Sequence, residues 1–290
     1  MKHKILIVII LFQIQNTFSQ ISDKQFFLVD ILSNKNVIEI QTFGKQYDGI
    51  NLNLLNGTDS IFIHKASSTY FNESNQPYLL INFEKLDTAT ISNLKHDQHN
   101  NLVFQSTRWL YGQVYKDKNS IDIDSFYINQ DSFYIEKHSS KVRDSKLIPM
   151  TLQHRINFSE NGNVLSMMEF ENGKIIQQTT LDYNKESILK SFKIYEKSDL
   201  FRMSDLTHDS KGRLTQQIMF DNDGNILKEI KIKYKTDLNF VKKIYDDTGE
   251  LIQHIETFEY KNQFGDLLES IEFNYIANST VLKRRKYYYR

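Results

Sequence analysis

The sequence predicts an all-β protein, an antiparallel meander of roughly twelve-residue strand–turn units forming a long, twisted or wound sheet, with a β-rich N-terminal part. Three observations carry that expectation. Apolar and polar side chains alternate with a period of two, Asn, Asp and Gly recur at turn spacing between the alternating runs, and helical periodicity is almost absent. Only two prolines occur, Pro77 and Pro149, so no Pro-rich linker divides the chain.

In chain order, the first element is an export signal over residues 1–19. Lys2 and Lys4 form its positive n-region, Ile5 to Phe12 its apolar run, and Thr17 and Ser19 the small residues before cleavage, with Gln20 opening the mature chain. The apolar run is too short to span a bilayer, and no later window supplies a membrane helix, so no integral membrane segment is expected after cleavage. Without a cysteine the mature protein is not a lipoprotein. Loss of Lys2 and Lys4, with no acid, takes the formal charge from 0 to −2. An exported, cysteine-free chain of this length fits the periplasm or exterior of a Gram-negative bacterium.

Residues 20–150 form a β-rich N-terminal region. Strand-like runs lie at Phe26–Leu32, Val37–Thr42, Ile50–Leu55, Ile61–His64 and Tyr78–Phe83, and Asn56-Gly57 is a hairpin turn signal. Phe83–Asn93 is the one stretch with a trace of helical periodicity. A polar run, KHSSKVRDSK, and Pro149 place a boundary near 145–155, across which the sheet is expected to be continuous or divided.

Residues 151–290 are a repeat. A ring residue, a polar turn and a large apolar residue six or seven positions on recur ten times, at Phe158, Phe170, Tyr183, Tyr195, His208, Phe220, Tyr234, Tyr245, Tyr260 and Tyr275. Gly162, Gly173, Gly212, Gly224, Gly249 and Gly265 supply turn positions that call for positive φ. Between turns the faces separate: Ile226, Ile230, Ile232 and Tyr234 alternate with Leu227, Glu229, Lys231 and Lys233. Weaker units continue upstream around His96, Tyr115 and Tyr127.

Tyr245-Asp246-Asp247-Thr248-Gly249-Glu250-Leu251 resembles the YD repeat of Rhs-type proteins, followed by His208-Asp209-Ser210-Lys211-Gly212-Arg213-Leu214 and Phe220-Asp221-Asn222-Asp223-Gly224-Asn225-Ile226. The units are also similar to the short β-hairpin repeats of MORN-like antitoxin proteins. The resemblance implies a wound sheet used as a shell, scaffold or binding surface, with no catalytic residues of its own.

The charge balance, 36 basic against 36 acidic residues, argues against a nucleic-acid partner. The absence of cysteine removes thiolate catalysis and cysteine-ligated metal, and no H-E-x-x-H, G-x-S-x-G or P-loop occurs. His96-Asp97-Gln98-His99 is the densest set of metal-ligand types, and its turn position favours a solvated turn. The acid pairs Asp122/Asp124, Asp221/Asp223 and Asp246-Asp247 suit Asx turns better than a glycosidase dyad, and Asp221-Asn222-Asp223-Gly224 lacks the other ligands of a calcium loop. Arg108, Trp109, Tyr111 and Tyr115 form an aromatic stretch that suits core packing or a sugar platform. The basic segment Lys283–Arg290 suits a polyanion contact or the protection of a final edge strand. No catalytic, cofactor or metal site is expected. The resulting expectation is an exported, non-enzymatic binding or scaffold surface for an unidentified protein or envelope glycan. A toxin-neutralising immunity protein, a polysaccharide-active enzyme and, last, a membrane β-barrel are the alternatives, the lysines of one strand face such as Lys231 and Lys233 suiting lipid badly.

Overall fold

The structure is a computed structural model and describes residues 37–56, 64–74, 76–84, 87–97, 102–109, 121–129, 133–143 and 146–289. The expected signal segment and its Ser19–Gln20 junction lie outside the described residues, as do the run at 26–32, Tyr111 and Tyr115. Eighteen strands follow one another: β1 (Val37–Asp48), β2 (His64–Phe71), β3 (Pro77–Glu84), β4 (Asp87–His96), β5 (Leu102–Trp109), β6 (Ile121–Asn129), β7 (Tyr134–Arg143), β8 (Lys146–Phe158) and β9 (Val164–Glu171). They continue as β10 (Lys174–Tyr183), β11 (Leu189–Glu196), β12 (Asp199–His208), β13 (Leu214–Phe220), β14 (Ile226–Tyr234), β15 (Asn239–Tyr245), β16 (Leu251–Lys261), β17 (Leu267–Asn274) and β18 (Ser279–Tyr289).

Each strand pairs antiparallel with its sequence neighbours, as the alternation predicts. The expected antiparallel meander is present, but it is not a long, twisted or wound open sheet. β1 pairs with β18 over its whole length, from Val37↔Tyr289 to Asp48↔Ser279, and also with β2, so the meander closes into an 18-stranded barrel. The edge-strand reading of the basic C-terminal segment falls with it: Lys283 and Arg284 pair with both β1 and β17, and Arg285 and Lys286 pair with β1. Closure satisfies the backbone groups that an edge strand would leave bare.

Two local expectations also change. Ile50–Leu55 is not a strand, because Leu52–Asn56 forms a short 3-10 turn. The described part of Phe83–Asn93 is not helical, since Phe83 and Glu84 end β3 and Asp87 to Asn93 lie in β4, paired with it. The boundary expected near residue 150 falls within β8, which pairs with β7 and β9 on its two sides.

The ring-to-apolar spacing of six now has a physical meaning. Phe158↔Val164, Tyr183↔Leu189, His208↔Leu214, Phe220↔Ile226, Tyr234↔Phe240 and Tyr245↔Leu251 are the cross-strand pairs that close successive hairpins. All six turn glycines named above sit at φ between 74° and 87°. The residue after the closing pair organises the five-residue turns. Asp209 Oδ1 accepts from the amides of Lys211 and Arg213 at 2.9 and 3.0 Å, and Asn184, Asp221, Asp246 and Asn262 repeat the pattern. The same turn appears far upstream, where Asn72 Oδ1 accepts from Ser74 and Gln76, and Phe71 faces Pro77.

Candidate functional site

A closed barrel offers two surfaces, and strand stereochemistry decides which residues line each. Following directly opposed residues once round from β1 through β18 returns to β1 about 20 residues further along. For 18 strands that stagger gives a tilt of about 37° and, for a circular section, a backbone radius of roughly 17 Å. Barrel strands coil right-handedly about the axis, so this direction of advance places each next strand to the left of an upward odd-numbered strand seen from outside.

Two tight hairpins complete the assignment. Asn172-Gly173 and Lys197-Ser198 are two-residue turns with every φ positive, so Glu171–Lys174 and Glu196–Asp199 exchange both backbone hydrogen bonds. In an L-residue strand, a residue facing the viewer on an upward chain points its N–H and C=O to the right. Glu171 and Glu196 point theirs at the following strand, and therefore face inward, together with Met167 on β9 and Phe192 and Ile194 on β11. Burial agrees: Phe192 and Ile194 are 4% and 1% exposed, whereas Lys193 between them is exposed.

The inner wall divides into two sectors. Across β8 to β16 it carries Ile156, Phe158, Met167, Leu181, Phe192, Ile194, Leu206, Ile230, Ile232, Phe240, Ile244 and Ile255. Ten of the residues of β8 to β12 and their turns pack as one cluster around Val164, Leu181, Phe192 and Ile194. Every described core cluster is built from neighbouring strands, so none bridges opposite walls. Across β3 to β7 the inner wall is mixed, Leu80, Leu94, Phe126, Ile128 and Ile135 standing among polar residues that bond one another. Asn82 donates to Thr90 Oγ1 at 2.9 Å, the hydroxyls of Ser92 and Thr107 lie 2.9 Å apart, and Gln105 donates to Thr107 at 3.1 Å. Asp124 binds Ser139 at 2.5 Å and Lys137 at 3.0 Å, and Lys141 lies 3.6 Å from Asp122. The Asp122/Asp124 pair is thus held by lysines in this ladder.

Charged side chains interrupt the apolar sector: Glu171, Glu196, Arg202, Lys228 and Lys242 share the inward register. Lys242 on β15 points inward, directly opposite Ile232 on β14 and Ile255 on β16. Burial pushes its ammonium below the usual lysine range, with Glu272 opposing and Lys228 reinforcing the shift. Glu272 lies in electrostatic reach without forming an ion pair. Tyr183, at the lower rim of the same sector, has its hydroxyl pushed up to about 12 by burial.

The outer wall of the same sector mixes charged side chains with apolar ones, Met203, Ile218, Phe220 and Val241 among the latter. Lys193, Asp205, Glu229, Lys231, Lys233 and Lys243 all share the outward register. Outside β16 to β18, the apolar patch of Phe258, Ile271, Phe273 and Leu282 is covered by Leu54 of the 3-10 turn, which is 1% exposed. Backbone contacts seat that turn: the Asn51 amide donates to Thr280 Oγ1 at 3.0 Å, and Thr280 Oγ1 donates to the Gly49 carbonyl at 2.9 Å.

The ring positions divide between the two surfaces. Phe158, Tyr183, His208 and Tyr234 close hairpins at one rim and face inward, whereas Phe170, Tyr195, Phe220 and Tyr245 lie at the other rim and face outward. One hairpin geometry used at both ends of a meander requires this, because strand direction reverses while backbone handedness does not. Tyr260 lies one residue before its closing pair, Lys261↔Leu267, and Tyr275 sits within the turn after β17. His96 faces Leu102 across the β4–β5 hairpin, and Gln98 and His99 lie outside the described residues. Among the described residues no cluster of metal-ligating side chains forms. The turn carboxylates of Asp209, Asp221 and Asp246 are occupied by turn hydrogen bonds.

No family model matches the chain, and no curated protein matches it. Among solved structures it is similar to a porin-like protein from Bacteroides uniformis ATCC 8492, with 9% identity, TM-score 0.34 and coverage of 69% of this chain and 96% of that one. A porin-like protein from Bacteroides vulgatus ATCC 8482 gives 5% identity, TM-score 0.31 and coverage of 87% and 98%. A DUF1329 family protein from Desulfovibrio piger ATCC 29098 gives 8% identity, TM-score 0.21 and coverage of 88% and 85%. At these values the likenesses carry no argument about function.

Proposed function

We propose that this is an exported, non-enzymatic binding protein of the periplasm or cell exterior, and that its binding surface is the lumen of the barrel. One observation carries the reading: from β8 to β16 the aliphatic residues concentrate on the inside, where Ile156, Leu181, Ile194, Ile230, Ile232, Ile244 and Ile255 lie, while Lys193, Lys231, Lys233 and Lys243 face out. A membrane-spanning barrel requires the reverse order. Part of this face is already covered, Phe192 and Ile194 being 4% and 1% exposed, whereas Ile230, Ile232, Phe240 and Ile255 are only partly buried, and an apolar sheet face needs cover. A ligand held within the lumen supplies that cover. Neither toxin neutralisation nor glycan hydrolysis has a comparable feature to support it.

The test is saturable binding of N-phenyl-1-naphthylamine, an uncharged apolar fluorophore, to the purified full-length chain. The expected result is a blue-shifted signal that titrates to a fixed stoichiometry. It should be lost in Ile244→Glu and kept in Lys231→Glu, since Ile244 faces inward and Lys231 outward. Absence of saturable binding, or equal loss in both variants, overturns the reading.

A further inference from the structure

The lumen is not uniformly apolar, and its departure from uniformity points to a ligand class. Lys242 stands on β15, toward the β16 end of the apolar sector, with Ile232 and Ile255 opposite it on the flanking strands and Phe240 and Ile244 on the same face of its own strand. A lysine there costs desolvation free energy and gains no ion pair from Glu272 in return. It also destabilises the empty barrel without serving the fold, since an apolar side chain would pack at that position. Lys228, inward on β14, adds a second positive charge close enough to act on Lys242. A positive centre embedded in an apolar wall is complementary to one kind of molecule, a long aliphatic chain ending in a single anionic group.

We infer that the lumen binds a single-chain aliphatic carboxylate, its headgroup ion-paired with Lys242 and its chain laid along the partly buried wall of Ile230, Ile232, Phe240 and Ile255 that surrounds it. This rests on the lumen-binding reading above and deepens it. The headgroup neutralises the buried ammonium, and the chain covers the isoleucine and phenylalanine side chains.

Calorimetric titration of the full-length chain with oleate and with oleyl alcohol, which share a chain and differ in headgroup, tests the inference. Wild type should bind oleate at least tenfold more tightly than the alcohol. Lys242→Met, close in volume and apolar, should erase that preference while keeping alcohol affinity within about twofold, with an unchanged far-ultraviolet spectrum as the folding control. Lys242→Arg should retain the preference. Equal affinity of wild type for the two ligands, or an undiminished oleate preference in Lys242→Met, overturns the headgroup assignment and leaves lumen binding standing. Failure of wild type to bind either ligand counts against lumen binding itself, and the inference falls with it.

Discussion

At the scale of single residues, the five-residue turns are organised by the Asn or Asp that follows the closing pair. Asn262 Oδ1 accepts from the amides of Phe264 and Asp266, both at 2.9 Å, and its Nδ2 donates to Asp266 at 3.1 Å. Asn262→Ala should therefore cost about 1 kcal/mol in urea unfolding, with an unchanged m-value. The histidines make a pH prediction. Burial lowers the His96 and His208 imidazoles, against the opposing pull of Asp97 and Asp209. Their folded pKa values lie below the unfolded value of about 6.5, so on acidification the unfolded chain takes up protons first. The stability they contribute is fully present above pH of about 6.5 and is lost as pH falls toward the folded values. The melting temperature should drop between pH 7.5 and 5, and His208→Phe, which restores the ring found at Phe158 and Phe220, should flatten that drop. Lys242 gives a third test. Lys242→Met should raise the stability of the ligand-free barrel by roughly 1–2 kcal/mol, because a buried amine is replaced by an apolar side chain of similar reach.

At the scale of the element, the unit is one hairpin closed by a ring and an aliphatic residue six positions apart. Four positions after Tyr183, Ser187 occupies φ 60°, where the equivalent positions after His208, Phe220 and Tyr245 carry glycine at 77° to 87°. Ser187→Gly should stabilise the protein and Gly249→Ala destabilise it, each by roughly 1 kcal/mol in thermal unfolding. No neighbouring atom lies within 4 Å of a Cβ built on Gly249, so backbone conformation alone sets that cost. These hairpins were legible in the sequence wherever Asx, Gly and a ring coincide. The Phe71–Pro77 hairpin was not. Its closing partner is a proline instead of an aliphatic residue, and its turn, Asn72-Glu73-Ser74-Asn75-Gln76, holds no glycine, although Asn72 makes the same two backbone contacts. The 3-10 turn at Leu52–Asn56 was read as a strand because its apolar residues are used by the outer patch, a contact with β16 to β18 that local pattern does not record.

At the scale of the molecule, closure depends on pairing between the first and last described strands, and no local signal announces it. Alternation specifies which faces are apolar, but the direction in which the sheet curls follows from stagger, the summed effect of strand lengths and of the one-residue register shifts near the turns. For the same reason the sequence separated Ile230 from Lys231 without saying which lines a lumen. Lys242 was not singled out either; its signal is a lysine on the apolar phase of a strand, recognisable only once that phase is known to be internal. Closure has a direct test. Gln46 and Val281 are opposed on β1 and β18, and the chain contains no cysteine. Gln46→Cys with Val281→Cys should form an intramolecular disulfide, seen as a mobility shift without reductant, whereas an open sheet leaves both thiols free to alkylation. The β1–β18 joint also sets an order in time. Every other seam joins strands made consecutively, but this one waits until the last strand has emerged. Until then the growing chain is a curved ribbon with two unpaired margins, so the slow step of folding, and the window for self-association, belongs to the meeting of its two ends.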